Sequence, residues 1–175
     1  MKKYLILVLT ALLLLASVSC GKEKKVFYVR DGGEVTKEGQ YTLYVDFCEI
    51  KDIVKAPYAD EVYYYFEVDD GKVYIDFCIA YTNLTSKNIL AEEVITSAKL
   101  TYYDKYEYSS RVTIEVDSRS DFDYADETYI VPLAKEYLHC LFEVPTDVVE
   151  GRGSIVITFT VAKSAFSYEV IKDAQ

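Results

Sequence analysis

The segment from Val62 to Thr85 constrains the fold of this chain most, because apolar and polar residues alternate on both sides of one turn signal. The dipeptide Asp70-Gly71 is typical of a two-residue type I′ hairpin turn, whose central residues both need a positive φ. Pairing outward from that turn places only apolar residues opposite one another on one face, and a slip of one residue would turn them all outward. The sequence therefore predicts an antiparallel β-hairpin that further strands must cover.

Other segments show the same period-2 alternation, and none has a convincing helical period. Further candidate strands are Tyr41–Ile50, Val94–Tyr103, Tyr106–Asp117, Thr128–Val131, Glu136–Val144, Ser154–Ala162 and Phe166–Ile171. Turn signals separate them at the spacing expected of a sandwich. We therefore predict an all-β fold, an immunoglobulin-like antiparallel β-sandwich of about 7–8 strands, with a small β-barrel as the alternative.

The N-terminus has the composition of an export signal. Lys2 and Lys3 precede an almost wholly apolar stretch, Tyr4–Val18, which is too short for a comfortable transmembrane helix. It runs into Ser17–Gly21, SVSCG, which resembles the lipobox of bacterial lipoproteins except that leucine is usual at the first position. The resemblance implies cleavage before Cys20 and diacylation of its sulfur, which gives stable membrane anchoring. An ordinary secretory leader with an incidental cysteine is the alternative.

These signals divide the chain into three parts. We predict that residues 1–19 are a lipoprotein signal peptide, residues 20–39 the lipidated cysteine and a tether, and residues 40–175 the β-sandwich. Within the tether, Val26–Arg30 is a candidate short strand. The predicted localisation is the extracytoplasmic face of the cell membrane, where the lipid on Cys20 is the anchor.

The formal net charge is −10, and it becomes −12 once the leader and its two lysines are removed. This acidic balance argues against a nucleic-acid partner, which needs a basic face.

Several strand motifs resemble an immunoglobulin-like domain of unknown function, common in Gram-positive surface lipoproteins and related to mycobacterial secreted antigens. The resemblance covers about Tyr41–Ile171 and implies a seven- or eight-stranded sandwich without catalytic residues. The sequence departs from the family in one respect, because it lacks the glycine often found near His139-Cys140. The matching segments are VYIDFCIAYTN (Val73–Asn83), IVPL (Ile130–Leu133), Leu138–Phe142, FEVP (Phe142–Pro145) and the strand Ile155–Val161.

Cys48 and Cys78 occupy near-repeats, YVDFC and YIDFC. In the resembling family the first strand pairs with the strand that carries Cys78, which makes these two thiols a candidate cross-strand disulfide. Two separate reduced thiols are the alternative. By alternation, both side chains are expected to face away from the main core, whereas Cys140 is expected to be a core thiol.

The remaining polar candidates carry weaker signals. His139 is the only histidine, and its neighbour Cys140 points to the opposite face of a strand, so we predict a surface or edge histidine rather than a Cys–His catalytic pair. Asp121, Asp123 and Asp126 form an acidic loop that is a weak candidate for calcium, although it lacks the spacing of an EF-hand. The spacing of the cysteines and the single histidine matches no common zinc motif, so no cofactor or firm metal site is predicted.

The chain contains 18 tyrosines and no tryptophan. Tyr63, Tyr65 and Tyr74 are predicted to share the outward face of the central hairpin, a candidate partner surface because aromatic side chains anchor proteins and sugars. We expect a non-catalytic binding module for an envelope protein or a cell-wall polymer. The alternatives are an accessory structural subunit of an envelope complex and, more distantly, a hydrolase.

Overall fold

The computed structural model describes residues 26–170, and most of these residues lie in β-strands. Two short helices, α1 (Ala91–Val94) and α2 (Thr146–Glu150), interrupt the strands. No helix within residues 26–170 has the length and apolar composition that crossing a membrane requires. The strands are β1 (Val26–Val29), β2 (Glu34–Lys37), β3 (Tyr41–Lys51), β4 (Ile53–Lys55), β5 (Tyr65–Glu67), β6 (Lys72–Asn83), β7 (Ile89–Leu90), β8 (Ile95–Tyr102), β9 (Tyr106–Ser109), β10 (Arg111–Val116), β11 (Asp121–Tyr124), β12 (Tyr129–Ile130), β13 (Lys135–Pro145), β14 (Ile155–Val161) and β15 (Ser164–Glu169).

Two open sheets form the sandwich. The five-stranded sheet has the order β1-β15-β14-β8-β9, and the six-stranded sheet has the order β11-β10-β13-β6-β3-β2. The pairs β7–β12 and β4–β5 form two small additional sheets. The all-β sandwich prediction is confirmed, but the strand number is too low, since the two main sheets already use eleven strands. One reason is that the predicted strand 106–117 is divided at Ser110 into β9 and β10, which belong to different sheets.

The sandwich begins earlier than predicted. Strand β1 pairs in parallel with β15, and strand β2 pairs antiparallel with β3, so residues 26–37 belong to the main sheets rather than to a tether. The Phe27 and Phe166 rings lie 5.5 Å apart and tie β1 to the core. The predicted boundary at residue 40 is therefore wrong. The predicted signal peptide, Cys20 and the rest of the predicted tether lie outside the described residues.

The pairing predicted for the central hairpin is also wrong. Strand β6 pairs along its length with β3 and β13, while the short strand β5 pairs with β4. A turn does form before β6, where the Lys72 N–H donates to the Asp69 carbonyl at 3.1 Å. It is not the predicted type I′ turn, because Gly71 has a positive φ of +80° but Asp70 does not have a positive φ. The reason for the different pairing is that several strands compete to pair with β6. Strands β3 and β13 each have 11 residues and form far longer hydrogen-bonded ladders with β6 than the three residues of β5 could form.

Both faces of β6 are buried. Ile75, Phe77 and Ile79 enter the main core between the two sheets, where the Phe77 ring lies 5.2 Å from Phe159 and 5.0 Å from Tyr168. The opposite face is covered by a smaller apolar cluster of Val54, Ala56, Tyr74, Phe122 and Leu141, with Phe66 and Val68 packed against it. The outer face of this sheet is therefore shielded by the β4–β5 segment and by β11.

Candidate functional site

Four ionisable or nucleophilic side chains meet beneath this outer cover, and we call them the buried polar cluster. Asp76 and Cys78 lie on β6, His139 lies directly opposite Cys78 on β13, and Glu115 projects from the neighbouring strand β10. Asp76 and Cys78 are 0% exposed, His139 is 1% exposed and Glu115 is 2% exposed. Because side chains alternate along a strand, all four point away from the main core that their sequence neighbours fill.

Hydrogen bonds link the cluster to Lys51 and Arg119 in one continuous row of side chains. His139 Nδ1 lies 2.7 Å from Asp76 Oδ1, and His139 Nε2 lies 2.9 Å from Glu115 Oε1. Lys51 Nζ donates to Asp76 Oδ2 at 3.0 Å, at one end of this row of hydrogen-bonded side chains. At the other end Arg119 donates to both carboxylate oxygens of Glu115. Within residues 26–170 every fully buried side-chain nitrogen or oxygen has a hydrogen-bond partner.

The surroundings of His139 favour its charged form. Burial lowers the pKa of this imidazole, but the charge of Cys78 and the hydrogen bonds to Asp76, Cys78 and Glu115 outweigh burial and raise the pKa well above its ordinary value. Only the imidazolium donates from both ring nitrogens at once, as two flanking carboxylates require. Charges then alternate from Lys51 through Asp76, His139 and Glu115 to Arg119, which reduces the cost of burying them.

Aromatic rings close the cluster from water. The Phe47 and Phe122 rings meet the His139 ring edge-on, at centroid distances of 5.6 and 5.0 Å. Phe47 faces the cluster because the register of β3 against β6 shifts between Val45 and Phe47, a β-bulge at Asp46. Phe66 of β5 packs on Phe122 at 5.6 Å and completes the cover.

Two cavities lie at the two ends of this row of side chains, one beside Arg119 and one beside Lys51. One has a volume of about 320 Å³, and its lining includes Glu115, Arg119 and Tyr137. The other has a volume of about 440 Å³, and its lining includes Phe47 and Lys51. The first cavity therefore borders the cluster at Glu115.

The candidate disulfide is wrong. The described cysteines Cys48, Cys78 and Cys140 are all free. The bulge at Asp46 reverses the alternation of β3, so Cys48 packs against the main core while Cys78 faces His139. Burial and the nearby charge of Asp31 raise the pKa of Cys48 to about 12. The prediction of a core thiol at Cys140 is confirmed, since this residue is 0% exposed within the main core.

The prediction for His139 is wrong as well. This residue lies on β13, an interior strand between β10 and β6, and not at a surface or an edge. Sequence reasoning also missed Asp76, Glu115, Lys51 and Arg119 as members of a site. The available signal was Asp76 itself, a carboxylate in the middle of an otherwise apolar strand, because such groups are rarely buried without a partner.

The acidic loop does not assemble as a calcium site. Asp121 accepts hydrogen bonds from the backbone N–H groups of Tyr64 and Phe122, and Asp123 accepts one from Thr128 Oγ1 at 2.8 Å. Asp126 lies in the turn after β11. In the described part of the chain, the set of ligand atoms that converges within 4.8 Å belongs to Cys78, Glu115 and His139.

The three tyrosines predicted to form a partner surface do not lie on one exposed face. Tyr65 is 55% exposed and its ring lies 6.3 Å from that of Tyr63, but Tyr74 is only 8% exposed and belongs to the small apolar cluster. Tyr74 is therefore wrongly assigned to a partner surface. Tyr58 and Tyr64 take its place on the same connecting segment, with exposed fractions of 66% and 67%. We call Tyr58, Tyr63, Tyr64 and Tyr65 the tyrosine surface.

No family model matches this chain, and no curated protein is detectably similar to it in sequence. An uncharacterised β-sandwich protein from Clostridium difficile has a similar structure, with a TM-score of 0.77 and 22% identity over 86% of this chain and 97% of that one. A candidate lipoprotein from Bacillus subtilis matches with a TM-score of 0.45 and 10% identity, over 81% of this chain and 39% of its own. A conserved hypothetical protein from Bacillus anthracis has a TM-score of 0.48 and 16% identity, over 79% and 94%. The first of these similarities shows the β-sandwich fold.

Proposed function

We propose that this chain is a lipid-anchored, non-catalytic binding module at the extracytoplasmic face of a bacterial membrane. It belongs to the kind of immunoglobulin-like sandwich that its strand motifs resemble, and it binds an envelope protein or a cell-wall polymer. The lipobox-like sequence ending at Cys20 supports the anchor. The exposed side chains of Tyr58, Tyr64 and Tyr65 in the tyrosine surface are the observation that carries the binding role.

The distance between anchor and domain is short. Five residues, 21–25, separate Cys20 from Val26, where the first strand begins. An extended residue spans at most about 3.6 Å, so β1 would begin within roughly 20 Å of the acylated cysteine. This length supports a domain that works close to the bilayer, rather than one held far from it.

The tyrosine surface has the features of a contact region. It lies on the connection that includes β5, and Tyr64 is positioned by the hydrogen bond from its backbone N–H to Asp121 at 2.7 Å. Tyrosine combines a large apolar area with a hydroxyl group and loses little conformational entropy when a partner immobilises it. These properties suit a protein surface or a sugar ring equally well.

A non-catalytic role is supported by the state of the buried polar cluster. Its carboxylates are engaged with His139, Lys51 and Arg119, and Phe47 and Phe122 cover the imidazole. A general acid or base has to reach a substrate proton within hydrogen-bonding distance. Groups committed to one another under an aromatic cover are poorly placed for that task.

Fractionation of bacterial cells tests the anchor. The wild-type chain should be recovered in the membrane fraction and should incorporate a labelled fatty acid, whereas Cys20→Ser should lose both properties. Cys48→Ser is the matched control, because its thiol lies inside the folded domain. Equal membrane recovery and equal labelling of wild type and Cys20→Ser would contradict the anchor.

Retention on purified cell-wall polymer and on solubilised envelope proteins tests the binding role. The double variant Tyr64→Ser/Tyr65→Ser should reduce retention at least about tenfold, as expected when two central aromatic contacts are lost. Tyr106→Ser, which removes a 49% exposed tyrosine from strand β9, should change nothing. A single stoichiometric protein partner that both variants retain equally would favour an accessory subunit, and turnover of a substrate abolished by Glu115→Gln would favour a hydrolase.

A further inference from the structure

Cys78, Glu115 and His139 combine three kinds of ligand atom at one buried point. A sulfur, a carboxylate oxygen and an imidazole nitrogen from these residues all lie within 4.8 Å of one another. The three side chains come from three adjacent strands of the six-stranded sheet, β6, β10 and β13. Since interior strands are held on both edges, the positions of these atoms are set by the most rigid part of the fold.

The geometry points to a zinc-type transition-metal site formed by Cys78 Sγ, His139 Nε2 and a carboxylate oxygen of Glu115. His139 Nε2 and Glu115 Oε1 lie 2.9 Å apart. Two ligands that bind one tetrahedral zinc ion at 2.0–2.1 Å lie about 3.3 Å apart. A metal bound by these two atoms would replace the proton that they share, and the nitrogen and oxygen would move apart by a few tenths of an ångström.

The chemistry of the ligands selects the metal. Thiolate and imidazole suit zinc and its transition-metal neighbours, whereas magnesium and calcium prefer sites made wholly of oxygen. A thiolate, a carboxylate and a neutral imidazole together carry two negative charges, which one divalent cation cancels. Binding would release two protons to solvent, one from the Cys78 thiol and one from the His139 imidazolium, so that the divalent ion adds no net charge to a region where uncompensated charge is costly.

The surrounding residues already form an outer shell of the usual kind. A metal-bound histidine commonly donates its other ring N–H to a carboxylate, which orients the ring. Asp76 Oδ1 lies 2.7 Å from His139 Nδ1 in that position, and Lys51 holds the second oxygen of Asp76 at 3.0 Å. Arg119 orients the Glu115 carboxylate in the same way.

The cavity beside Glu115 offers a path to the site. Its lining includes Glu115 and Arg119, and its volume is about 320 Å³. Three protein ligands leave one tetrahedral position, which a water molecule would fill. This inference does not rest on the proposed binding role of the tyrosine surface, because none of those tyrosines is one of its ligands.

Titration of the reduced, metal-free full chain with Zn²⁺ against a chromophoric chelator tests the site. In these experiments the wild-type reference and every variant carry Cys20→Ser, so that this thiol contributes no ligand. We expect one ion per chain, and Cys78→Ala should weaken binding by more than about 100-fold, beyond the 10–100-fold loss typical of outer-shell partners. Cys140→Ala is the matched control, because Cys140 is equally buried on the opposite face of the same sheet and should leave the affinity unchanged.

Co²⁺ provides a readout that a purely structural role of Cys78 would not move. Bound cobalt should show a sulfur-to-metal charge-transfer band, and Cys78→Ala should abolish it while circular dichroism shows the same folded chain. Zn²⁺ should also raise the Tm of the wild type and of Cys140→Ala, but not that of Cys78→Ala. The inference is overturned if the wild type binds no stoichiometric ion, or if Cys78→Ala binds zinc as tightly and keeps the cobalt band.

Discussion

The two faces of strand β6 are buried equally well but are packed against different chemistry. Ile75, Phe77 and Ile79 meet the five-stranded sheet through apolar contacts alone. Asp76 and Cys78, which alternate with them, meet a histidine and a second carboxylate beneath an aromatic cover. One strand thus contributes both to the hydrophobic core and to a paired ionic cluster.

The two faces of β6 differ more in how strictly they specify the register of the strand than in how much they stabilise the fold. Apolar contacts are non-directional and tolerate small changes of shape. A buried ion chain stabilises little compared with well-packed apolar residues, but it penalises any arrangement that leaves one of its members alone. The apolar face therefore drives β6 into the core, while the polar face selects the register in which Asp76, His139 and Glu115 meet.

The largest expected effect comes from breaking the polar face. Asp76→Ala leaves His139 and Lys51 without their shared partner, and removal of one member of a buried ion pair costs about 3–5 kcal/mol. Denaturant unfolding should show this loss as a lower midpoint. Asp69→Ala, which removes an exposed partner of Lys72, is the control and should cost less than about 1 kcal/mol. Equal midpoints for the two variants would mean that the polar face is not coupled to folding.

The next effect concerns Tyr81, at the far end of the apolar face, and appears only at alkaline pH. Burial, with a smaller contribution from the charge of Tyr41, raises the pKa of Tyr81 from 10.0 to about 12. The unfolded chain therefore ionises first, so the stability due to the neutral phenol is full below pH 10 and is lost as the pH rises from 10 to about 12. Two pKa units correspond to about 2.7 kcal/mol, which Tyr81→Phe should remove from the alkaline slope of the unfolding free energy.

Tyr64→Phe is the control for this measurement, because its side chain is 67% exposed. Its unfolding free energy should fall with pH as that of the wild type does. If Tyr81→Phe also follows the wild-type curve between pH 10 and 12, then burial of this phenol does not limit alkaline stability.

A smaller loss is expected from a conservative change in the main core. Ile75→Val removes one buried methylene group from the apolar face of β6 and should cost about 0.5–1.5 kcal/mol, independent of salt and pH. Ile53→Val is the control, since Ile53 is 49% exposed and its unfolding midpoint should barely change. A strong salt dependence of the Ile75→Val loss would contradict the separation of the two faces.

The smallest effect is expected for an ion pair outside the buried cluster. Lys99 Nζ lies 3.0 Å from Glu107 Oε2, and these side chains are 55% and 62% exposed. Lys99→Gln should therefore change the unfolding free energy by less than about 1 kcal/mol, and added salt should shrink the difference further. A loss as large as that of Asp76→Ala would show that burial does not distinguish the two kinds of ion pair.

The fold class was predictable because period-2 alternation is a local property. The alternation of β6 correctly separates Ile75 and Phe77 from Asp76 and Cys78. The position of the turn at Gly71 is confirmed, but its predicted type I′ geometry is wrong, because Asp70 lacks a positive φ. The bulge at Asp46 was not predictable, because nothing in the composition of β3 marks it. This one extra residue moves Cys48 to the main core and removes the candidate disulfide.

Local patterns along the chain are enough to predict an all-β fold with alternating faces, a turn at the start of β6, an acidic charge and the lipobox-like segment on which the proposed anchor rests. They do not reveal that β6 pairs with β3 and β13, or that Asp76, Cys78, Glu115 and His139 meet, which is evident only in three dimensions. The two kinds of feature differ in the range of the interactions behind them. Alternation and turns depend on neighbouring residues, whereas the partners of a strand depend on competition between distant segments for its edges, and that competition brings Glu115 and His139 to the outer face of β6.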